Sequence, residues 1–246
     1  MALFTIIHMY PDLMNLYGDR GNLICLQKRL EWYGHAARIK PIGLGENLDY
    51  NEVDFLFMGG GSDREQGLVY QDLLNKSDRI MAAVKDGLPV LAICGAYQLL
   101  GAYYRSPDGQ KFDGLGLFQF HTESEKGRLI GNIVIESTLG DSQTSVVGFE
   151  NHGGRTYFED KNLQPLGRVL KGFGNNGKDG GEGLKYHNLI GSYLHGPLLP
   201  KNPVLADYFI DVMCSRRGVD RGDRLDDEIE NYAHQEVKKK LLGGKV

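Results

Sequence analysis

The chain has 246 residues, a formal net charge of −4 at pH 7 and 41% hydrophobic residues. This composition supports a sizeable core, and the slight acidic excess excludes charge-driven binding to nucleic acid or to an anionic membrane. No apolar run approaches the roughly 18 residues of a membrane span, and the N-terminal segment lacks the basic flank and cleavage site of a signal peptide. Three widely spaced cysteines predict free thiols in a reducing compartment, for which the cytoplasm is the default. The length allows one large domain or two small ones, and we predict a single domain over residues 1–246.

The first hundred residues alternate between short apolar runs and stretches of helical periodicity. Strands are predicted at residues 3–9, 37–42, 53–58 and 89–93, with a helix at 23–33 between the first two. Ser62 and Glu65 have the spacing of a capping box, which predicts a helix from that point to Gly87, interrupted near residues 75–78. This alternation predicts a parallel sheet with helices on both faces and functional groups at the carboxyl ends of its strands.

The second half has turn residues rather than helices between its apolar runs. Strands are predicted at residues 115–120, 130–136, 145–149, 168–173 and 188–194, with a glycine-rich loop at 151–155 and helices at 205–213 and 226–241. The segment 172–183 formally matches two phosphate-binding patterns, but no Ser or Thr follows Lys178 and no helix opens there, so we interpret it as a surface turn. The predicted fold class is therefore α/β, with a mainly parallel central sheet, helices on both faces and added antiparallel strands in the second half.

A single cysteine stands between the predicted strand 89–93 and a predicted helix. Cys94 is framed by Ala92, Gly95 and Ala96, and a nucleophile on a sharp strand-to-helix turn requires such small neighbours. The helix that follows directs its N-terminal N–H groups at the sulfur, which favours the thiolate. The alternative is a buried structural cysteine at the end of a core strand. The small-residue frame favours the nucleophile.

Three glycines follow the predicted strand 53–58 at the same sheet edge. Backbone N–H groups of Gly60 and Gly95 would then form an oxyanion hole for a tetrahedral intermediate, since glycine lets the backbone approach a substrate closely. A flexible turn capped by Ser62 is the alternative, and this segment alone does not decide between the two. His195 is the best candidate for the base, because it follows a predicted strand that ends at this edge; His121, His152 and His187 are competitors.

These residues carry a resemblance to the class I (triad-type) glutamine amidotransferases. The chain is most similar to their cobyric-acid-synthase-like branch, and within it to the glutaminase subunits of bacterial lipid II isoglutaminyl synthases. The motifs that carry the resemblance are GGSDREQ at 60–66, ICGAYQ at 93–98, GFENHGGRTY at 148–157 and YLHGPLLP at 193–200. The resemblance covers essentially the whole chain.

The resemblance implies that Cys94 attacks the side-chain amide of L-glutamine while His195 shuttles the proton. Ammonia would then pass to a Mur-ligase-like partner subunit in a heterodimer, which uses ATP and Mg to amidate the D-glutamate α-carboxyl of the peptidoglycan stem. No cofactor and no metal site is expected in this chain, and no part of it is expected to enter the membrane that holds the lipid II acceptor. Two other functions share the same site: a stand-alone γ-glutamyl hydrolase, and an amidotransferase subunit that serves a cobyrinate-type acceptor. A non-catalytic module is disfavoured by the intact Cys94 and His195.

The resemblance also assigns residues that bind the substrate. Arg128 is assigned to glutamine recruitment, and a guanidinium matches the α-carboxylate bidentately. His152 is assigned to substrate binding as well. The family pattern places a Glu two residues after the histidine, and this chain has Pro197 there. Either the site is a Cys–His dyad, or a carboxylate comes from elsewhere, with Glu150 and Asp19 as candidates in this chain and the partner subunit as another source.

Overall fold

The computed structural model describes residues 1–243. For Tyr17 it describes the backbone but not the side chain. Strands and helices alternate in the N-terminal part, as the sequence predicts. In chain order the elements are β1 (Leu3–Met9), α1 (Gly21–Trp32), β2 (Ala36–Ile42), β3 (Phe55–Met58), α2 (Asp63–Lys85), β4 (Val90–Ile93) and α3 (Gly95–Leu99). The capping box at Ser62 and Glu65 starts α2, but the predicted interruption near residues 75–78 is wrong. The helix is continuous, because Leu73, Ser77 and Ile80 extend one buried face through that stretch.

Strands dominate the rest of the chain until two helices close it. The elements are β5 (Tyr103–Arg105), β6 (Lys111–Asp113), β7 (Phe120–Leu139), β8 (Ser142–Phe158), β9 (Gly167–Lys171), β10 (Gly181–Glu182), β11 (Leu184–Tyr186), β12 (Leu189–Ser192), β13 (Leu194–His195), α4 (Pro203–Arg217) and α5 (Glu228–Leu242). Two predictions are wrong here: residues 115–119 form no strand, and the predicted loop 151–155 lies inside β8. Asn151, His152, Gly154 and Arg155 pair with β7, and Gly153 lies at the register shift. Among residues 1–243, no helix is both long and apolar enough to cross a membrane.

The strands form two sheets. The first has the order β11-β12-β4-β3-β1-β2, and all its pairs are parallel except the edge pair of β11 with β12. The second is organised around the antiparallel hairpin of β7 and β8, with β9 and β5 beside β7. The architecture agrees with the predicted fold class. The antiparallel strands gather mostly in a sheet of their own, which is built on the long hairpin of β7 (20 residues) and β8 (17 residues).

The parallel sheet is covered on both faces. Side chains alternate across it, so that Phe55 and Leu91 pack into the cluster below α1 and α4, while Leu56 and Val90 pack into the cluster on the other face with α2. All four residues of β4 are buried. A continuous apolar run of this kind is typical of a central parallel strand, and it fixes the point at which Cys94 leaves the sheet.

The chain passes from one sheet to the other at Tyr193. Ser192 still pairs with Ile93 in the parallel sheet, whereas Leu194 and His195 pair with β8 in the second sheet. Since β4 leads directly into the predicted nucleophile, this change of sheet places His195 beside the carboxyl end of β4.

We predict that Gly191→Ala destabilises the fold. A Cβ at Gly191 would lie 2.4 Å from Cδ2 of Tyr97, which is fully buried and has no room to move. We expect a loss of about 1–3 kcal/mol in the free energy of unfolding, measured by urea denaturation. Gly67→Ala in α2 is the control, because nothing lies within 4 Å of its Cβ, and it should gain up to about 1 kcal/mol. Equal stability of the two variants would contradict this packing.

Candidate active site

Cys94 occupies a sharp turn between β4 and α3. Its backbone has φ 54° and ψ −107°, a conformation that costs a non-glycine residue on the order of 1–3 kcal/mol. Two backbone bonds hold the turn: Cys94 N–H donates to Ser192 O at 2.8 Å, and Gln98 N–H donates to Cys94 O at 2.9 Å. Gly95 is required, because a Cβ there would lie 2.9 Å from the carbonyl oxygen of Gly61. The structure thus has the strand–turn–helix geometry that the sequence predicts for a nucleophile.

His195 lies between Asp19 and Cys94. Its Nδ1 is 3.1 Å from Asp19 Oδ1, and both side chains are buried. Because an ionised carboxylate only accepts hydrogen bonds, Nδ1 carries the proton toward Asp19. Burial alone lowers the pKa of His195, but the hydrogen bonds to Asp19 and to the Cys94 side chain outweigh it and hold the pKa well above its ordinary value. His195 is therefore in contact with a carboxylate on one side and with the predicted nucleophile on the other.

Asp19 reaches the site from the loop that follows β1. Its second carboxylate oxygen accepts a hydrogen bond from Gly60 N–H at 3.1 Å, and Leu16 N–H donates to Gly60 O at 3.0 Å. The loop therefore lies against the glycine segment, where a Cβ at Gly59 would come within 2.5 Å of Met14 O. The Gly60 amide, predicted from the sequence as an oxyanion donor, is thus directed at Asp19.

Glu150, the other carboxylate considered from the sequence, has a different position. It is buried and accepts hydrogen bonds from Phe173 N–H at 2.8 Å and Gly174 N–H at 2.9 Å. These bonds anchor the segment 172–183. Two residues of that segment, Asn175 and Asn176, are buried. Our interpretation of that segment as a surface turn is therefore wrong for residues 174–176. The side-chain amides of Asn175 and Asn176 donate hydrogen bonds to backbone carbonyl groups inside the protein.

Pro197 stands where the family pattern has a Glu, and it serves packing. A Cβ on Gly21, the first residue of α1, would lie 2.5 Å from Cγ of Pro197. The proline ring is therefore in close contact with the start of α1, just after Asp19. In this chain the orienting carboxylate comes from Asp19, which lies far from His195 in sequence.

Tyr193 connects the nucleophile turn to the second sheet. Its hydroxyl accepts a hydrogen bond from Gln98 Nε2 at 3.1 Å and lies 2.7 Å from Thr156 Oγ1 in β8. Its ring stacks on the His152 ring with 3.8 Å between centroids. Gln98 belongs to α3, immediately after Cys94. These contacts position the segments that carry Cys94 and His195 relative to each other.

Glu182 stabilises the segment at which the chain changes sheets. Its Oε1 accepts hydrogen bonds from Ser192 Oγ and Tyr193 N–H, both at 2.8 Å. The side chain is fully buried, and Oε2 has no hydrogen-bond partner among the described residues. Burial raises the pKa of Glu182 to about 7, against the hydrogen bonds that lower it. This carboxyl group therefore gains a proton as the pH falls below neutrality.

A cavity of about 490 Å³ opens beside Cys94. Arg128 and His152 both line it, so the structure places these two residues, predicted from the sequence, with the nucleophile. Arg128 lies at a bulge in β7, where the register shifts between Ser124 and Leu129. Its Nε and Nη2 donate to the side-chain and backbone oxygens of Asn151, each at 2.6 Å. The guanidinium is thereby oriented before any substrate arrives.

Of the glycines after β3 and the competing histidines, some line this cavity and others do not. Gly61 lines the cavity together with Cys94. The competing histidines His121 and His187 do not line it, and His121 is bound to Glu159 at 2.7 Å. His152 donates from Nδ1 to Gly154 O at 2.7 Å, its Nε2 lies 3.7 Å from Glu150 Oε2, and burial lowers its pKa.

This chain belongs to the CobB/CobQ-like glutamine amidotransferase family, whose domain model matches residues 5–203. The fold agrees: a crystal structure of a glutamine amidotransferase from Thermotoga maritima covers 98% of this chain and 94% of its own length with a TM-score of 0.53, at 16% sequence identity. The predictions of fold class, family and enzyme class are confirmed.

Curated relatives narrow the comparison. The glutamine-hydrolyzing lipid II isoglutaminyl synthase subunit GatD of Staphylococcus aureus is 44% identical over 98% of this chain and 96% of its own length. The subunit of the same name from Streptococcus pneumoniae is 42% identical over 82% of this chain and 77% of its own length. A probable cobyric acid synthase of Methanothermobacter thermautotrophicus is 30% identical over 79% of this chain, which spans only 40% of that protein.

We predict that Glu182 makes stability fall as the pH rises. Its carboxyl binds a proton more tightly in the folded state than in the unfolded state, so this group disfavours folding as the pH rises from about 4.5, its ordinary pKa, to about 7. Relative to the wild type, Glu182→Gln should remove a decrease of about 3 kcal/mol in the free energy of unfolding between pH 5 and pH 8. Glu46→Gln, at an exposed site, is the control and should keep the wild-type slope. If the free energy of unfolding changed equally with pH in wild type and in Glu182→Gln, the prediction would be wrong.

We predict that Asp19→Asn impairs turnover without unfolding the protein. An amide at this position satisfies His195 Nδ1 with an N–H and selects the wrong imidazole tautomer, so glutamine hydrolysis should fall by at least about 100-fold. Alkylation of Cys94 by iodoacetamide at pH 7 should slow as well, because less thiolate forms. Asp12→Asn, an exposed residue of the same loop, is the control. Wild-type turnover in Asp19→Asn would mean that Cys94 and His195 act as a dyad without Asp19.

Proposed function

We propose that this chain is the glutaminase subunit of a lipid II isoglutaminyl synthase. It hydrolyses L-glutamine at Cys94 and delivers ammonia to an ATP-dependent, Mur-ligase-like subunit, which amidates the D-glutamate α-carboxyl of the peptidoglycan stem. The observation that carries the chemistry is the contact of His195 with both Asp19 and Cys94 beside a cavity lined by Arg128. The acceptor is supported by the names of the two bacterial relatives, which match this chain over most of its length.

The reaction needs a nucleophile and a single mobile proton. The Cys94 thiolate attacks the amide carbon of glutamine, and the electron pair of the C=O bond moves onto oxygen. The His195 imidazolium then gives its proton to the nitrogen, the C–N bond breaks, and ammonia leaves a thioester on Cys94. A water molecule, deprotonated by His195, attacks the thioester and releases glutamate. Asp19 stabilises the imidazolium through both half-reactions.

The oxyanion formed in each half-reaction is assigned to backbone amides at the turn. Gly95 N–H follows the nucleophile directly, as in other nucleophile elbows. Gly61, which lines the cavity, supplies the second amide in place of Gly60, whose N–H is directed at Asp19. Such donors contribute roughly 3–4 kcal/mol each in the transition state.

Substrate orientation is assigned to Arg128 and His152. Because Asn151 binds Nε and Nη2 of Arg128, the guanidinium is fixed and binds the α-carboxylate of glutamine with little loss of side-chain entropy. His152 lines the same cavity, with its Nδ1 bonded to Gly154 O and its Nε2 buried 3.7 Å from Glu150 Oε2. We therefore assign its ring to the wall of the cavity that packs against the substrate.

The decisive experiment reconstitutes both subunits. The chain is co-expressed with the Mur-ligase-like subunit, purified as a heterodimer, and assayed with lipid II and ATP, using either L-glutamine or an ammonium salt as nitrogen source. The wild-type pair should amidate lipid II from both sources. Cys94→Ala should abolish product from glutamine and leave the ammonium-dependent product intact, whereas Cys25→Ser, at a cysteine outside the cavity, should behave as wild type.

Three results would contradict the proposal. The first is glutamine-dependent product with Cys94→Ala. The second is amidation of lipid II by this chain without its partner. The third is elution of the two chains as separate monomers without product. Release of glutamate from γ-glutamyl peptides, in preference to ammonia from glutamine, would favour the stand-alone hydrolase instead.

A further inference from the structure

The charges around the Cys94 cavity are unevenly distributed. Among the described residues that line it, two are cationic, Arg64 and Arg128, and Asp63 is the one carboxylate. Without Asp63, the charged side chains of this lining would repel an ammonium group. A free amino acid brings both an ammonium and a carboxylate group to any site that binds it.

Asp63 is held in place by a residue of the second sheet. The Tyr104 hydroxyl donates to Asp63 Oδ2 at 3.3 Å, and both residues line the cavity. Burial raises the pKa of Tyr104, so its hydroxyl stays protonated and remains a donor at neutral pH. This bond directs the carboxylate from α2 toward the strand β5 that faces it across the cavity.

Tyr104 lies between the two charges. It interacts electrostatically with both Asp63 and Arg128, and it is hydrogen-bonded to Ser124 at the edge of the bulge that carries Arg128. The anionic and the cationic group are therefore both near the Tyr104 hydroxyl. Opposite charges near one point suit a ligand whose two charged groups are bonded to the same carbon atom.

Asp63 is not needed to cap α2. The capping box of Ser62 and Glu65 already satisfies the first turn through both of its reciprocal hydrogen bonds. A carboxylate at the first helical position contributes a further small favourable interaction with the helix dipole, which an exposed Asp or Glu elsewhere in the turn would supply equally well. Its position in the cavity is what distinguishes Asp63.

We propose that Asp63 binds the α-ammonium group of the substrate while Arg128 binds the α-carboxylate. The site then selects free α-amino acids that carry a γ-carboxamide, and it rejects analogues whose amino group is acylated or missing. This inference rests on the proposed function, because it assigns a specificity-determining residue to the same glutamine site.

The test compares L-glutamine with glutaramate, the same molecule without its α-ammonium group. Ammonia release is measured with the co-expressed heterodimer for wild type, Asp63→Asn and Arg128→Ala. Wild type should prefer L-glutamine, and Asp63→Asn should lose about 10-fold to 100-fold in kcat/KM for L-glutamine, mainly through KM, with kcat/KM for glutaramate unchanged. Arg128→Ala should lower kcat/KM for both substrates, since both carry the carboxylate.

Two controls separate substrate binding from a structural role. Asp113→Asn, in the neighbouring cavity of about 310 Å³ that Asp63 and Tyr104 also line, should keep the wild-type preference. Alkylation of Cys94 by iodoacetamide, which has no ammonium group, should proceed at the wild-type rate in Asp63→Asn.

The outcomes that overturn the inference are distinct from those that overturn the function. The inference fails if wild type uses glutaramate with the same kcat/KM as L-glutamine, or if Asp63→Asn lowers kcat/KM for both substrates in equal proportion. Asp63 then does not recognise the ammonium group, but glutamine hydrolysis at Cys94 is unaffected. If wild type releases ammonia from neither amide, the proposed function fails, and the role of Asp63 fails with it.

Discussion

The geometry of the site depends on the hydrogen bonds of one buried tyrosine at the point where the chain changes sheets. Tyr193 is fully buried, and its hydroxyl bonds to Gln98 on the nucleophile side and to Thr156 in the second sheet. A buried hydroxyl without partners costs on the order of 1–3 kcal/mol, so an arrangement that separated the two sheets here would be strongly disfavoured. Cys94 and His195 belong to different sheets, and this junction determines their relative position.

Three buried carboxylates around the junction, Asp19, Glu150 and Glu182, have different hydrogen-bond partners. Glu150 accepts two backbone N–H groups, and Asp19 accepts one in addition to its contact with His195. Glu182 has two hydrogen bonds, but both reach the same oxygen, and its second oxygen has no partner among the described residues. For Glu182, desolvation outweighs the hydrogen bonds, and its pKa is raised.

Features with local signals were predictable from the sequence. The small residues around Cys94 indicate the nucleophile turn, and the spacing of Ser62 and Glu65 indicates the start of α2, because both depend on neighbours within a few positions. The parallel strands β3 and β4 follow from continuous apolar runs. The resemblance to a known family added Arg128 and His152, which the structure places in the cavity with Cys94.

Features that depend on distant contacts were not predictable. Asp19 lies in a loop with no pattern of its own, and only the fold of that loop against Gly60 brings its carboxylate to His195. The residues at 151–155 have the composition of a turn, yet pairing with β7 makes them part of a long strand. The surface-turn interpretation of 172–183 failed at residues 174–176 for the same reason, since the acceptor that anchors the segment is Glu150 in another element.

The placement of the one tryptophan has a consequence for following how this protein folds. Trp32 ends α1 and is 61% exposed, so its fluorescence reports on the surface of that helix and little on the interior. The contact of His195 with Asp19 and Cys94, by contrast, joins residues far apart in sequence, and such non-local contacts form slowly. An emission signal from Trp32 therefore reports on α1 and not on whether these three segments have converged.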